Sequence, residues 1–233
     1  MKVHPIEAFT DNYIWLVQEG NEAVVVDPGE GPQVMDFLET HDLILRAILL
    51  THNHDDHVGG VLEIFERYPD IPIFGPDETE PLADHNVKDG DTFEILGKKV
   101  RVFLTAGHTE GHVSYLMDDM LFCGDALFSA GCGRVFTGDY EAQFEALNRF
   151  KQLDDRVRVF AGHEYTETNL RFALTVDPHN EQLKETLNET IELRARDLPT
   201  LPSTIGKEKD INLFLQAESL EEMTALRNKR DDF

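Results

Sequence analysis

The run Thr51-His52-Asn53-His54-Asp55-Asp56-His57 sets three histidines and two aspartates among six consecutive residues. Neutral imidazole and carboxylate are ligands for zinc, and also for iron or manganese. On an extended backbone the alternate imidazoles His52 and His54 point the same way. Asp56 and His57 fall where the chain turns into a helix, so this segment can present two ligand groups to two neighbouring ions. A solvated polar loop is the plain alternative. Such a density of donors in a chain with ten histidines sets it aside. His108, Asp125 and His163 each follow a predicted strand and each stands after a glycine, Gly107, Gly124 and Gly162, which permits close backbone approach. Singly they read as loop polar residues. Their shared placement at strand ends joins them to the first cluster.

Other chemistries find no support. There is no Gly-x-Ser-x-Gly element, P-loop or dinucleotide fingerprint. The two cysteines, Cys123 and Cys132, form no Cys-x-x-Cys pair, which excludes a disulfide scaffold and a thiolate zinc finger. Cys123 reads as a small packing residue in a strand. A formal charge of −24 over 233 residues argues against a nucleic-acid or polybasic membrane-surface role and raises the expectation of salt-dependent stability. Apolar residues at 41% and charged residues at 28% fit an ordinary folded domain. No apolar run approaches a bilayer span, and Met1 to Tyr13, with Glu7 and Asp11, carries no signal-like segment. A cytoplasmic monomer with a small-molecule substrate is the expectation.

The elements that must position these residues are mixed. β-branched and aromatic runs predict strands at Tyr13 to Gln18, Ala23 to Val26, Ile44 to Leu50, Thr92 to Leu96, Val100 to Thr105, Val113 to Met117, Met120 to Cys123 and Val157 to Ala161. Asp27-Pro28-Gly29 reads as a turn. Helical spacing appears at Pro32 to His41, Val58 to Tyr68 and Tyr140 to Lys151. After Tyr165 the pattern becomes helical: Asn180 caps a predicted helix to about Arg196, and Ser219 with Glu222 forms a capping-box signature. The expectation is an α+β catalytic domain over residues 1–165 and a helical substrate-binding domain over 166–233 that packs back on it.

Thr51 to Gly60, the Gly-His-Thr-Glu-Gly-His segment from Gly107 to His112, Gly124-Asp125 and Gly162-His163-Glu164-Tyr165 resemble the metal motifs of the metallo-β-lactamase superfamily. Asp11 to Trp15, Leu127 to Arg134, Leu201-Pro202-Ser203-Thr204 and Arg227 to Asp231 narrow the resemblance to the glyoxalase II family, over essentially the whole chain. The resemblance implies a four-layer αββα sandwich with a binuclear site at one edge of the sheets. It also implies two divalent cations, Zn2+ or else Fe or Mn. His52, His54 and His108 would hold one, Asp56, His57 and His163 the other, with Asp125 bridging and His112 nearby but not a ligand. The implied reaction is hydrolysis of S-(2-hydroxyacyl)glutathione, typically the D-lactoyl thioester, by a hydroxide between the metals, the second step of methylglyoxal detoxification.

Asp125 and Asp56 would be the catalytic carboxylates, and Arg134, Tyr165, Arg227 and Arg230 would hold the glutathione moiety. A thioester suits a site with no evident general acid, because a thiol of pKa about 8.5 leaves readily as thiolate. Two departures stand out: Phe136 where relatives commonly carry a tyrosine, and an Asn212 to Gln216 segment lacking the usual proline and arginine. The alternatives are a single-iron persulfide dioxygenase and a non-catalytic or nucleic-acid-processing member of the superfamily.

Overall fold

A computed structural model describes residues 1–233. Two six-stranded sheets face each other. The first holds β1 (Lys2–Ala8), β2 (Asn12–Glu19), β3 (Glu22–Val26), β4 (Ile44–Leu49), β5 (Ile73–Gly75) and β6 (His85–Asn86), in that spatial order. The second holds β7 (Thr92–Ile95), β8 (Lys98–Leu104), β9 (Val113–Met117), β10 (Met120–Gly124), β11 (Arg158–Ala161) and β12 (Ser203–Thr204). The helices are α1 (Pro32–Thr40), α2 (Asp55–Val58), α3 (Val61–Arg67), α4 (Tyr140–Lys151), α5 (Thr166–Val176), α6 (Glu181–Arg194), α7 (Ile205–Ile211), α8 (Leu213–Gln216) and α9 (Leu220–Asp231).

The continuous apolar character of β2 to β4 follows from burial on both faces. Along β2, Tyr13, Trp15 and Val17 join the core between the sheets. Their alternates Ile14 and Leu16 pack with Val34, Leu38, Val61 and Ile64 of α1 and α3. On the other side, Leu147 and Phe150 of α4 share a core with Tyr115, Phe122 and Phe160 of the second sheet. This is the αββα sandwich the sequence led us to expect.

Two differences from the sequence reading have local causes. The helix expected from Val58 to Tyr68 is two helices, broken at Gly59-Gly60, where backbone flexibility disfavours helix and the Gly60 amide donates to Pro28 O at 2.9 Å. The tail is not purely helical either. Ser203 and Thr204 pair with Val159 and Arg158, adding an edge strand to the second sheet.

Candidate metal centre

One edge of the sandwich gathers the chemistry. His52 follows β4, His108 follows β8, Asp125 follows β10, His163 follows β11, and Asp56 and His57 open the short helix α2. The edges are tied together by backbone bonds. The Tyr13 amide donates to Gly162 O, the Val113 amide to Thr51 O and the Glu164 amide to Asp11 O, at 2.8, 2.9 and 2.8 Å. Gly162 lies so close that a Cβ there would stand 2.6 Å from Asp125 Oδ1 and 2.7 Å from His57 Cε1. Glycine is required by that crowding.

Donor atoms of His52, His54 and His108 lie within 4.8 Å of one another, as do those of Asp56, His57 and His163. Asp125 stands between the two groups, with Oδ2 3.5 Å from His108 Nε2 and 3.3 Å from His163 Nε2, and Oδ1 3.3 Å from His57 Nε2. His52 Nε2, His57 Nε2 and Asp125 Oδ1 are buried and make no hydrogen bond. Orphaned donors converging in this way are costly unless something else binds them, and a cation does so. The residues fit the group.

Four of the five histidines are anchored through their outer nitrogen. His52 Nδ1 is 2.9 Å from Thr51 Oγ1, His57 Nδ1 is 3.1 Å from Asp27 Oδ2, His108 Nδ1 is 2.8 Å from Arg134 O and His163 Nδ1 is 2.8 Å from Asp11 Oδ1. Protons on Nδ1 leave Nε2 as the inward lone pair. His54 faces inward by Nδ1, 3.0 Å from His108 Nε2. Asn12 Nδ2 donates to Asp56 Oδ2 at 2.9 Å and fixes that carboxylate. His112 is enclosed, its Nε2 accepting from the Asp125 amide at 3.1 Å, and Asp55 is exposed.

Residues 9–163 match the metallo-beta-lactamase superfamily profile and residues 164–233 the hydroxyacylglutathione hydrolase C-terminus. The hydroxyacylglutathione hydrolase of Glaesserella parasuis serovar 5 is 53% identical over the full length of both chains, and that of Haemophilus ducreyi 48%. This chain belongs to the hydroxyacylglutathione hydrolase family. The family fold is also seen in the crystal structure of ETHE1 from Myxococcus xanthus, at 25% identity and TM-score 0.74, covering 98% of this chain and 90% of that one. TTHA1623 in a di-iron-bound form gives 26% identity and TM-score 0.67, covering 91% and 100%.

In this family member a 370 Å³ cleft above the centre is lined by His54, Asp56, His108, Asp125 and His163 together with Phe128, Arg134, Phe136 and Tyr165. Phe128, Arg134 and Tyr165 also line an adjoining 260 Å³ pocket with Asn169, Arg227, Arg230, Asp231 and Phe233. Tyr165 stacks on His163 at 4.7 Å, and the 63% exposed ring of Phe136 stands 5.2 Å from that of His108. The sequence-expected substrate residues are thus drawn together beside the centre. They differ in access: Arg134 is 52% exposed in its side chain, whereas Arg227 is buried.

Electrostatics divides the histidines. Burial opposes protonation of His57, but Asp125 and Asp27 outweigh it and push its pKa up to about 10. For His163 burial is likewise outweighed, by Asp125, Asp11 and Asp56, to about 12. Burial holds His52, His108 and His112 below the ordinary histidine range. Asp125 stays well below the carboxylate range despite its burial, because His57 and His163 face it. Asp56 is lowered chiefly by His163. The chain alone therefore pairs two imidazolium ions with two carboxylates where cations would sit.

Reading the sequence for ligands missed the residues behind them. Asp27 looked like a turn former, and Asp11 and Asn12 carried only family likeness. A usable signal existed: an aspartate closing the apolar strand β3 at the same sheet edge as the ligand loops.

Proposed function

We propose that the chain hydrolyses S-(2-hydroxyacyl)glutathione, typically S-D-lactoylglutathione, to glutathione and the 2-hydroxy acid. The observation that carries this reading is the convergence of seven donor side chains, three of them with orphaned buried atoms, beneath a cleft continuous with an arginine-lined pocket. Two Zn2+ ions are the proposed occupants, with iron or manganese as substitutes: one at His52, His54 and His108, one at Asp56, His57 and His163, with Asp125 shared. When bound, such cations lower the pKa of water from about 15.7 towards about 7 and polarise a carbonyl.

The chain's own residues do the rest. Asp125 and Asp56 remain ionised at neutral pH, so both act as acceptors and neither donates a proton to the leaving group. The thiolate of glutathione needs none. Arg134, Arg227 and Arg230 bring positive charge to the pocket for a tail with two carboxylates, and Tyr165 forms an aromatic wall over His163. We assign catalysis to residues 1–165 and tail recognition to residues 166–233 together with Arg134 and Tyr165 of the first domain. A single-ion reading would leave His57 and His163 without purpose, although both are anchored as firmly as the other set.

The test is loss of thioester absorbance with lactoylglutathione, run beside an acyl-coenzyme A and a β-lactam. Preference for the first is expected. Preference for either of the others, or oxygen consumption with one iron per chain, overturns the reading. No helix is long and apolar enough to cross a membrane, and we place the reaction in the cytoplasm, carried out by a monomer.

A further inference from the structure

We propose that Phe233 is a positioning residue for tail recognition, its ring closing an aromatic corner that holds the Arg230 guanidinium at the wall of the arginine-lined pocket; this rests on the glutathione reading above. The pocket's one acidic residue, Asp231, pairs with Arg134 and Arg227 at 3.2 and 2.9 Å, not with Arg230. Arg230 is partly buried, and its bond within the chain runs from Nε to Asn169 Oδ1 at 3.2 Å. In a chain with 45 acidic residues, a partly buried arginine with no carboxylate beside it points to an anion from outside the chain. Burial and then the Arg227 charge hold its pKa below the ordinary arginine range, and an arriving carboxylate relieves both.

One hydrogen bond does not fix so long a side chain. Helix α5 supplies two of its supports. Asn169 is buried, and because its Nδ2 donates to Ser129 O at 3.0 Å, its Oδ1 is the atom turned to Arg230. Phe172 belongs to the core, and its ring centre lies 6.0 Å from the guanidinium carbon. Phe233 supplies the third support from beyond the end of α9. Its amide donates to Arg230 O at 3.4 Å, a turn that brings its ring to 5.8 Å from the same carbon. The two rings stand 5.7 Å apart at 65°, so the guanidinium occupies the angle between them. Arginine binds aromatic faces through its planar cation. The Phe233 ring is 57% exposed on the pocket wall, so its own burial contributes little to folding. At that place it restricts Arg230 before the ligand arrives and screens the ion pair from water afterwards, both of which strengthen binding.

The test uses the full chain reconstituted with zinc and calorimetric affinity for S-methylglutathione, whose sulfur offers no thiolate to a metal. Phe233→Ala is expected to weaken binding about three- to tenfold and to raise KM for lactoylglutathione by a similar factor, with zinc content unchanged. Phe233→Tyr keeps the ring and is expected to stay within about twofold of the unaltered chain. Arg230→Gln is expected to weaken binding about 10- to 100-fold. Because Phe233 acts through Arg230, adding Phe233→Ala to Arg230→Gln should cost no more than about twofold further. Unchanged affinity in Phe233→Ala overturns the role. So does an undiminished loss in the Arg230→Gln background, which would make the ring a direct substrate contact, and so does a loss that falls on zinc content instead. Where Phe233→Ala gives no cooperative thermal transition, Phe233→Leu, which keeps apolar bulk without an aromatic face, decides: weakened binding supports the role and unchanged binding overturns it. Unaltered protein that neither binds S-methylglutathione nor cleaves lactoylglutathione removes the glutathione reading together with this one, and so is told apart from failure of the positioning role alone.

Discussion

Asp27 never touches the cleft, yet three groups converge on its carboxylate: the Thr51 amide at 2.8 Å, the Thr51 hydroxyl at 2.6 Å and His57 Nδ1 at 3.1 Å. An amide in its place keeps one oxygen and turns an N–H toward a group that itself donates. Asp27→Asn should therefore lower metal affinity about 10- to 100-fold in a chelator competition; wild-type affinity would remove its supporting role. Asp125→Asn should cut kcat on the order of 10²–10⁴-fold, and near-normal turnover with metal content verified would refute the role of the shared carboxylate. The two raised histidines add a pH dependence. His57 in the fold titrates near 10 against an ordinary 6.5. In metal-free protein its protonation thus stabilises the fold fully below 6.5, and this contribution is lost as pH rises through about 10. A cation takes the ring nitrogen only after the proton leaves. Zinc binding at pH 7 should release protons, read by calorimetry in buffers of different ionisation enthalpy, and apparent affinity should climb with pH. Binding without proton release would contradict the charge assignment.

Elements whose signals are local were legible in the sequence. Ser219 Oγ accepts the Glu222 amide at 3.2 Å and Asn180 Oδ1 accepts the Leu183 amide at 3.1 Å, so both expected N-caps exist, but Glu222 Oε2 accepts the Glu218 amide at 2.9 Å and not that of Ser219, so the capping box is not closed. Ser219→Ala should cost about 1 kcal/mol in urea unfolding, and no measurable change would show that packing of Met223 and Leu226 alone sets the end of α9. Elements that depend on distant partners were not legible. β1 carries only Ile6 and Ala8 as buried residues, so its pairing with β2 leaves little pattern. β12 is two residues long and exists through β11. The same limit applied at the site. Ligand residues announced themselves by type and spacing, whereas the Arg134 carbonyl that orients His108 has no side-chain signature, and helix periodicity alone did not say that Arg227 would be sealed inside.

At the scale of the whole molecule, 45 acidic residues against 21 basic ones leave each carboxylate among like charges. Exposed pairs such as Arg149 with Asp89 and Arg158 with Asp119 offset this only slightly, since such pairs contribute about 0–1 kcal/mol each. Net self-repulsion opposes the compact state and reaches about 30 Å at 0.01 M salt but about 3 Å at 1 M. Screening should therefore weaken the repulsion among many charges more than it weakens a few contacts, and stability should rise with salt. For a chain of this size each kcal/mol moves Tm by about 2–4 °C, so a rise of several degrees between 0.01 and 1 M NaCl, roughly the two screening limits above, is expected for metal-loaded protein. Scanning calorimetry in NaCl measures it without the general strengthening of apolar burial that sulfate brings. A flat or falling Tm would mean that the acidic excess is already balanced locally, by bound cations or by the ion pairs, and that charge does not limit this fold.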